Sequence, residues 1–227
     1  MTKHKIDVYT LIKSEIHKLR NAGIKTANLD CRLLLTKSLK LNKTLHNHQY
    51  VKISDNEIKK FKNFIEQRLS GKPVSRIINK KNFWDNEFEL NEDTLDPRPD
   101  SETLIDAVLC HFKSKTQILK ILDLGSGTGC LGLSLLKEYP YSIASFLDVS
   151  KKSLEIVKIN SLNFGLLDRS KFVNLDWSDE NWLANLIKIE NETKFDVIIS
   201  NPPYIPTEDI NNLQKEVREY DPFIALN

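Results

Sequence analysis

The tetrad Asn201-Pro202-Pro203-Tyr204 follows the apolar run FDVIIS at residues 195–200, and its residue types suit it to holding a planar nitrogen. Two consecutive prolines lack backbone N–H donors and hold φ near about −65°. The turn is therefore rigid, and its carbonyls face something other than backbone partners. An amide or aromatic amine is a poor nucleophile because its lone pair is delocalised. If the Asn201 side-chain oxygen and the Pro202 carbonyl each accept one of its hydrogens, that lone pair is aimed at an electrophile, and Tyr204 can stack on the planar group. Catalysis of this kind rests on positioning, with proximity alone worth up to roughly 7–11 kcal/mol of barrier. No ionised base is required beforehand, because the nitrogen becomes acidic as it is alkylated. Asn201, Pro202 and Tyr204 are the expected catalytic residues, and all four members of the tetrad are expected to bind substrate.

The electrophile is indicated by a second constellation. After the strand-like ILKILDL comes Gly125-Ser126-Gly127-Thr128-Gly129, then the apolar CLGLSLL. Three alternating glycines exceed what a plain strand-to-helix turn needs and let a ligand lie against the main chain. Residues 127–132 formally match GxGxxG, but a dinucleotide fingerprint starts right after its strand, which would put Cys130 where the third glycine belongs. Asp123, just before the loop, attracts an ammonium or sulfonium and repels phosphate. S-adenosylmethionine carries both cations and is the expected cofactor. Asp148, 19 residues past Gly129, is placed to accept ribose hydroxyls, and Asp176-Trp177 to meet the adenine amine and ring. Packing alone is the other reading of Trp177. The expected cofactor contacts are thus Asp123, Gly125, Ser126, Gly127, Thr128, Gly129, Asp148, Asp176 and Trp177.

These residues must be carried by regular elements. From about residue 118 strands (118–124, 143–148, 171–175, 195–200) alternate with helices (130–138, 151–163, 180–190), which specifies a mostly parallel, Rossmann-like α/β sheet with ligands beyond the carboxyl ends of its strands. Upstream, apolar residues recur at helical spacing with no strand-like alternation, and Ser54-Asp55-Asn56-Glu57 has capping-box spacing. The expected organisation is a small all-α domain at 1–73, a β-hairpin linker at 74–94 turning at Asp85-Asn86, and the catalytic domain at 95–227.

Charge divides along the same line. Residues 1–80 hold 18 Lys and Arg against 6 Asp and Glu, and residues 81–227 hold 15 against 25, so +12 faces −10. Such asymmetry fits two domains with different partners, or a lysine-rich composition on solvated helices. No apolar run approaches the roughly 20 residues of a membrane span, and no secretory signal opens the chain, so a cytoplasmic address and no membrane partner are expected. The three cysteines are scattered, and His46 and His48 have no further ligands nearby, so no metal is expected.

With GKPVSRIINKKNFWDNEFELNEDTLDPRPDSE and DCRLLL added to DLGSGTG and SNPPYI, the whole chain resembles the peptide chain release factor glutamine methyltransferases. That resemblance implies a class I methyltransferase fold and transfer to the side-chain nitrogen (N5) of the glutamine in the Gly-Gly-Gln motif of class I release factors. It also implies cofactor contacts from Asn201 and a place for Arg98 beside the substrate, unless Arg98 belongs to a Pro-rich linker and pairs with Asp100 or Glu102. Nucleic-acid amino methyltransferases share NPPY but not Phe83-Trp84 followed by Pro97-Arg98-Pro99-Asp100 and Glu102, so nucleic acid is the alternative substrate and not the expected partner. Asp96 departs from the family's apolar residue at that position and is expected to loosen the segment. Family members continue past a segment like 220–223, so the sheet is expected to be truncated at its C-terminal side, with the fourth strand an open edge and a non-catalytic binding remnant as a further reading.

Overall fold

The computed structural model describes residues 3–191 and 194–227. They form two compact units, one ending at Ile78 and the other beginning at Asn79.

In the first unit β1 (His4–Asp7) leads into α1 (Val8–Asn21), followed by α2 (Ala27–Ser38), β2 (Tyr50–Ile53), α3 (Asp55–Leu69) and α4 (Val74–Ile78). Asp7 caps α1 by accepting the Thr10 N–H, and Ser54 and Glu57 form the expected capping box on α3. Val8, Ile12, Ile16 and Leu19 make one stripe of α1 and pack in a core with Leu34, Leu35, Phe61 and Ile65. Arg68 crosses that core to Asp30, Nε to Oδ2 at 2.8 Å, with both side chains buried. The reading of this region as free of strands is corrected: β1 and β2 pair antiparallel, His4 opposite Ile53 and Asp7 opposite Tyr50. Val51 and Ile53 face the core while Tyr50 and Lys52 face out. Four residues are too few for that alternation to stand out against the helical pattern on either side.

The second unit opens with a hairpin of β3 (Lys80–Phe83) and β4 (Asn86–Glu89). Its turn sits at Trp84 and Asp85, with φ of +47° and +58°, one residue earlier than expected. Two left-handed residues in a two-residue loop match the right-handed twist of the strands. Side-chain acceptors hold this unusual position for a tryptophan: its backbone N–H donates to Glu102 Oε1 at 3.1 Å and its indole Nε1 to Glu138 Oε1 at 2.9 Å. The Lys115 ammonium first, and then this indole, keep the Glu138 carboxyl below its usual range. Residues 74–78, expected in the hairpin, are instead α4.

A 3₁₀ turn at Pro99–Ser101 runs into α5 (Glu102–His111). Then β5 (Lys120–Leu124), α6 (Cys130–Glu138), β6 (Ile143–Asp148), α7 (Lys151–Asn163), β7 (Ser170–Asn174), α8 (Trp182–Glu190) and β8 (Val197–Ser200) follow, with α9 (Lys215–Tyr220) near the end. The four strands are parallel in the order β7-β6-β5-β8. Winding reverses between β5 and β8, the switch point at which such sheets open a crevice beyond their carboxyl ends. Phe146, Leu133, Leu136 and Tyr139 fill one face of the sheet, and Leu122, Leu147, Val173 and Leu186 the other. Among the described residues β8 pairs with β5 alone, and Ile198 on it is 62% exposed.

Candidate active site

At the end of β5 the chain turns through Gly125, Gly127 and Gly129, with φ of +68°, +53° and +76°, angles that cost glycine little. The Gly125 and Ser126 N–H groups donate to the Leu147 carbonyl at 2.9 and 3.0 Å. The Gly127 N–H donates to Asp148 Oδ2 at 2.8 Å, and Asp148 Oδ1 accepts from the Ser150 N–H at 2.9 Å. Asp148 therefore ties the glycine loop to the start of α7. Burial raises its pKa even so, and each oxygen keeps a lone pair for a ligand hydroxyl.

Asp123 is 1% exposed, and its Oδ2 accepts the Gly132 N–H at 2.9 Å. A Cβ on Gly132 would lie 2.5 Å from the Phe146 ring and 3.0 Å from that oxygen, so close packing of α6 on the sheet accounts for this glycine. Burial pushes the Asp123 carboxyl up to about 7; the Gly132 N–H pulls it down and the Asp148 charge pushes it up.

From the end of β7, Trp177 lays its indole against Gly125, where an added Cβ would be 2.7 Å from the ring. Asp176 is exposed, and two hydrogen bonds from Ser178, Oγ and N–H at 2.7 and 2.8 Å, hold its carboxyl below the usual range. On the other side, the register pairing Leu124 with Ser200 brings Asn201 level with Gly125. Ser200 Oγ donates to the Leu124 carbonyl at 2.8 Å, and Asn201 Nδ2 to Ser101 Oγ at 3.2 Å.

Together these groups bound a cavity of about 360 Å³. Nine of the ten expected cofactor contacts line it; Gly129 does not. Gly129 instead starts α6, where a Cβ would meet Val157 at 2.8 Å. Of the tetrad, Asn201 and Pro203 line the cavity, whereas Pro202 does not and Tyr204 is 77% exposed. Arg98 lines it too and pairs with Asp221, correcting the alternative that tied it to Asp100 or Glu102. Asp96, expected to loosen its segment, is buried with the Lys81 ammonium 3.7 Å away, so its charge is compensated locally.

Three residues of the site had escaped sequence reasoning. Ser101 lies inside a stretch singled out for its prolines, Arg98 and the acidic Asp96, Asp100 and Glu102. Ser150 caps α7, which the SxxS spacing after Asp148 hints at. Asn160 is fully buried and links β4 to the glycine loop, its Nδ2 reaching the Thr128 and Glu89 carbonyls at 2.9 and 3.2 Å and its Oδ1 the Glu89 N–H at 2.8 Å. A polar residue inside an apolar helical face was its signal.

The charge of the cavity is lopsided. Asp93, Asp123, Asp148 and Asp176 line it, and Arg98, already paired, is the single basic lining residue among those described. Ser126 Oγ is buried in the wall with no hydrogen-bond partner among the described residues. Such a site favours a cationic ligand with hydrogen-bonding groups.

Comparison with known proteins agrees with this chemistry. Residues 100–217 match the family model "Methyltransferase small domain", and residues 10–78 match "PrmC N-terminal domain". A "Release factor glutamine methyltransferase" of Bradyrhizobium diazoefficiens is 38% identical over 213 residues, covering 92% of this chain and 68% of that protein. One from Caulobacter vibrioides is 33% identical over 228 residues, covering 100% and 74%. A "Bifunctional methyltransferase" of Rickettsia felis is 32% identical over 241 residues, covering 92% of this chain and 43% of that protein.

Proposed function

We propose, since this chain belongs to the release factor glutamine methyltransferase family, that it methylates the side-chain amide nitrogen (N5) of the glutamine in the Gly-Gly-Gln motif of class I peptide chain release factors. The chain is an S-adenosylmethionine-dependent methyltransferase, and the cavity fits that cofactor: its four aspartates suit a ligand bearing an ammonium and a sulfonium, and the unpartnered Ser126 hydroxyl is available to it. When bound, the cofactor supplies an electrophilic methyl carbon.

The protein's own residues then have three tasks. Asp123 would face the cationic end, and Asp148 the ribose, while its bonds to Gly127 and Ser150 keep the loop closed. Asn201, with Pro203 the part of the tetrad that lines the cavity, marks where cofactor space ends. Pro202 and Tyr204, outside that lining, are assigned to the acceptor: the Asn201 Oδ1 and the Pro202 carbonyl accept the two amide hydrogens, and the exposed Tyr204 ring covers the amide plane. The amide nitrogen gains the methyl and loses one proton to solvent, so no side-chain base is called for.

The observation that carries this reading is the level placement of Asn201 and Gly125 just past the ends of neighbouring strands, which puts an amide acceptor on a rigid backbone beside the glycine loop. Its test uses labelled S-adenosylmethionine with purified release factor and, separately, with nucleic acid. Label is expected on the release factor, at the Gly-Gly-Gln glutamine by peptide mass, and Asn201→Ala is expected to lower kcat by about a hundredfold or more. Label that survives replacement of that glutamine, or that goes to nucleic acid, would refute the assignment.

A further inference from the structure

Resting on that assignment of Asn201, we infer that Ser101 is a positioning residue: its hydroxyl accepts from Asn201 Nδ2 and holds the side-chain amide in place while Oδ1 meets the acceptor nitrogen.

The need for such a residue comes from the chemistry. A carboxamide has an acceptor end and a donor end of nearly equal size, and rotation by a half-turn about its last bond exchanges them. Asn201 in the flipped state would point N–H groups at an acceptor amide that itself offers N–H groups, and no productive hydrogen bond would form. The prolines that follow fix the backbone of the tetrad but not this torsion. The acceptor's own N–H groups select the Oδ1 end, and a group outside the tetrad must then hold that torsion and accept from Nδ2, which a hydroxyl can do.

Ser101 meets the requirement. Its Oγ accepts the Asn201 Nδ2 hydrogen at 3.2 Å, a contact spanning 100 residues of chain. Asn201 Oδ1 has no partner among the described residues, so the acceptor end is left for a ligand. Ser101 is itself well held. It is largely buried and lines the same cavity, and its N–H donates to the Arg98 carbonyl at 3.0 Å, closing the 3₁₀ turn. Pro97 and Pro99 stiffen that turn, and the Arg98 side chain fastens it to Asp221, whose side chain is buried. A hydroxyl on a turn clamped at both ends is a better reference for a rotatable amide than one on a mobile loop. A serine kept only to start α5 would not need this aim, and its hydroxyl makes no side-chain cap on that helix.

The experiment measures methyl transfer to release factor by the full chain, with cofactor affinity determined separately. Ser101→Ala is expected to lower kcat roughly ten- to a hundredfold, the scale of a misplaced reacting group, while cofactor Kd changes less than about threefold, as for loss of one weak contact. Ser101→Thr, which keeps the oxygen, recovers most of the rate. Ser101→Cys, nearly isosteric and a weak acceptor, falls in between and serves if the alanine variant unfolds. In the Asn201→Ala background, adding Ser101→Ala costs nothing further, because the amide it orients is gone. Normal kcat in Ser101→Ala beside a crippled Asn201→Ala overturns the inference and leaves the reaction standing, as does full additivity of the two losses. Normal kcat in Asn201→Ala overturns the assignment on which the inference rests.

Discussion

On the β5–β6 side of the cavity, loops are fastened by backbone N–H groups to buried carboxylates: Gly127 and Ser150 to Asp148, Gly132 to Asp123. On the β8 side, the cavity is bounded by Asn201 and by residues from 97–101 and 224–227, joined through side chains far apart in sequence. The links there are Asn201 to Ser101, Arg98 to Asp221, and Asn227 Nδ2 to the Ile205 carbonyl at 2.9 Å. On the proposed assignment, the cofactor side is thus built into the sheet, while the acceptor side depends on a few long-range contacts. A cofactor of constant shape suits the first arrangement. A protein acceptor that must enter and leave suits the second.

The largest effect that would break this contrast is expected at Asp148. Asp148→Ala removes a carboxylate holding two backbone donors and leaves both without it in a part-buried place, at a cost of about 2–4 kcal/mol at charge-assisted strength. Cofactor Kd measured by calorimetry should rise by roughly thirtyfold or more, and Asp148→Asn should recover part of it. An unchanged Kd would mean that the glycine loop holds its shape without this anchor, and the two sides of the cavity would no longer differ in kind.

What was legible beforehand follows the same division. The parallel sheet, the glycine loop, Asp123, Asp148 and the tetrad all stand at strand ends, where local periodicity and turn chemistry fix their position. Gly125 and Asn201 could be placed on one edge from pattern alone. Ser101 and Arg98 could not, because their partners Asn201 and Asp221 are 100 and 123 residues away, and no local pattern encodes such pairs. Trp84 shows the limit in another form: a tryptophan at positive φ is against its intrinsic preference, and only Glu102 and Glu138, 18 and 54 residues on, explain why the hairpin turns there and not at Asp85-Asn86. The antiparallel pair β1–β2 is a third case, hidden because each strand has four residues.

A middle-sized effect should appear with pH. Burial holds the Asp123 carboxyl up at about 7, against an ordinary value of about 4. The folded protein therefore keeps a proton here that the unfolded chain has lost, and this group's contribution to stability falls as pH rises from about 4 to about 7. A cationic ligand beside Asp123 favours the carboxylate, so binding expels that proton. Cofactor affinity is expected to increase with pH up to about 7, by no more than about tenfold per unit, and then to level off. Calorimetry in buffers of different ionisation enthalpy would detect the proton released at pH 6, and Asp123→Asn should flatten the profile. A pH-independent Kd in the unaltered protein would show that Asp123 does not sense the cofactor charge.

The smallest effect, and the one most specific to the acceptor side, concerns Arg98 and Asp221. The Arg98 side chain is 39% exposed, so screening limits the pair to about 1 kcal/mol. The pair fastens the turn that carries Ser101, whereas the glycine loop and α6 are bonded to Asp148 and Asp123. Arg98→Ala and Asp221→Ala should each raise KM for release factor or lower kcat severalfold, with cofactor Kd nearly unchanged. The double variant should be little worse than either single one, since each already releases the turn. Raising salt should weaken the coupling. If either substitution reduced cofactor affinity as much as turnover, the clasp would be supporting the whole cavity, and the division between a sheet-anchored cofactor side and a side-chain-tethered acceptor side would have to be given up.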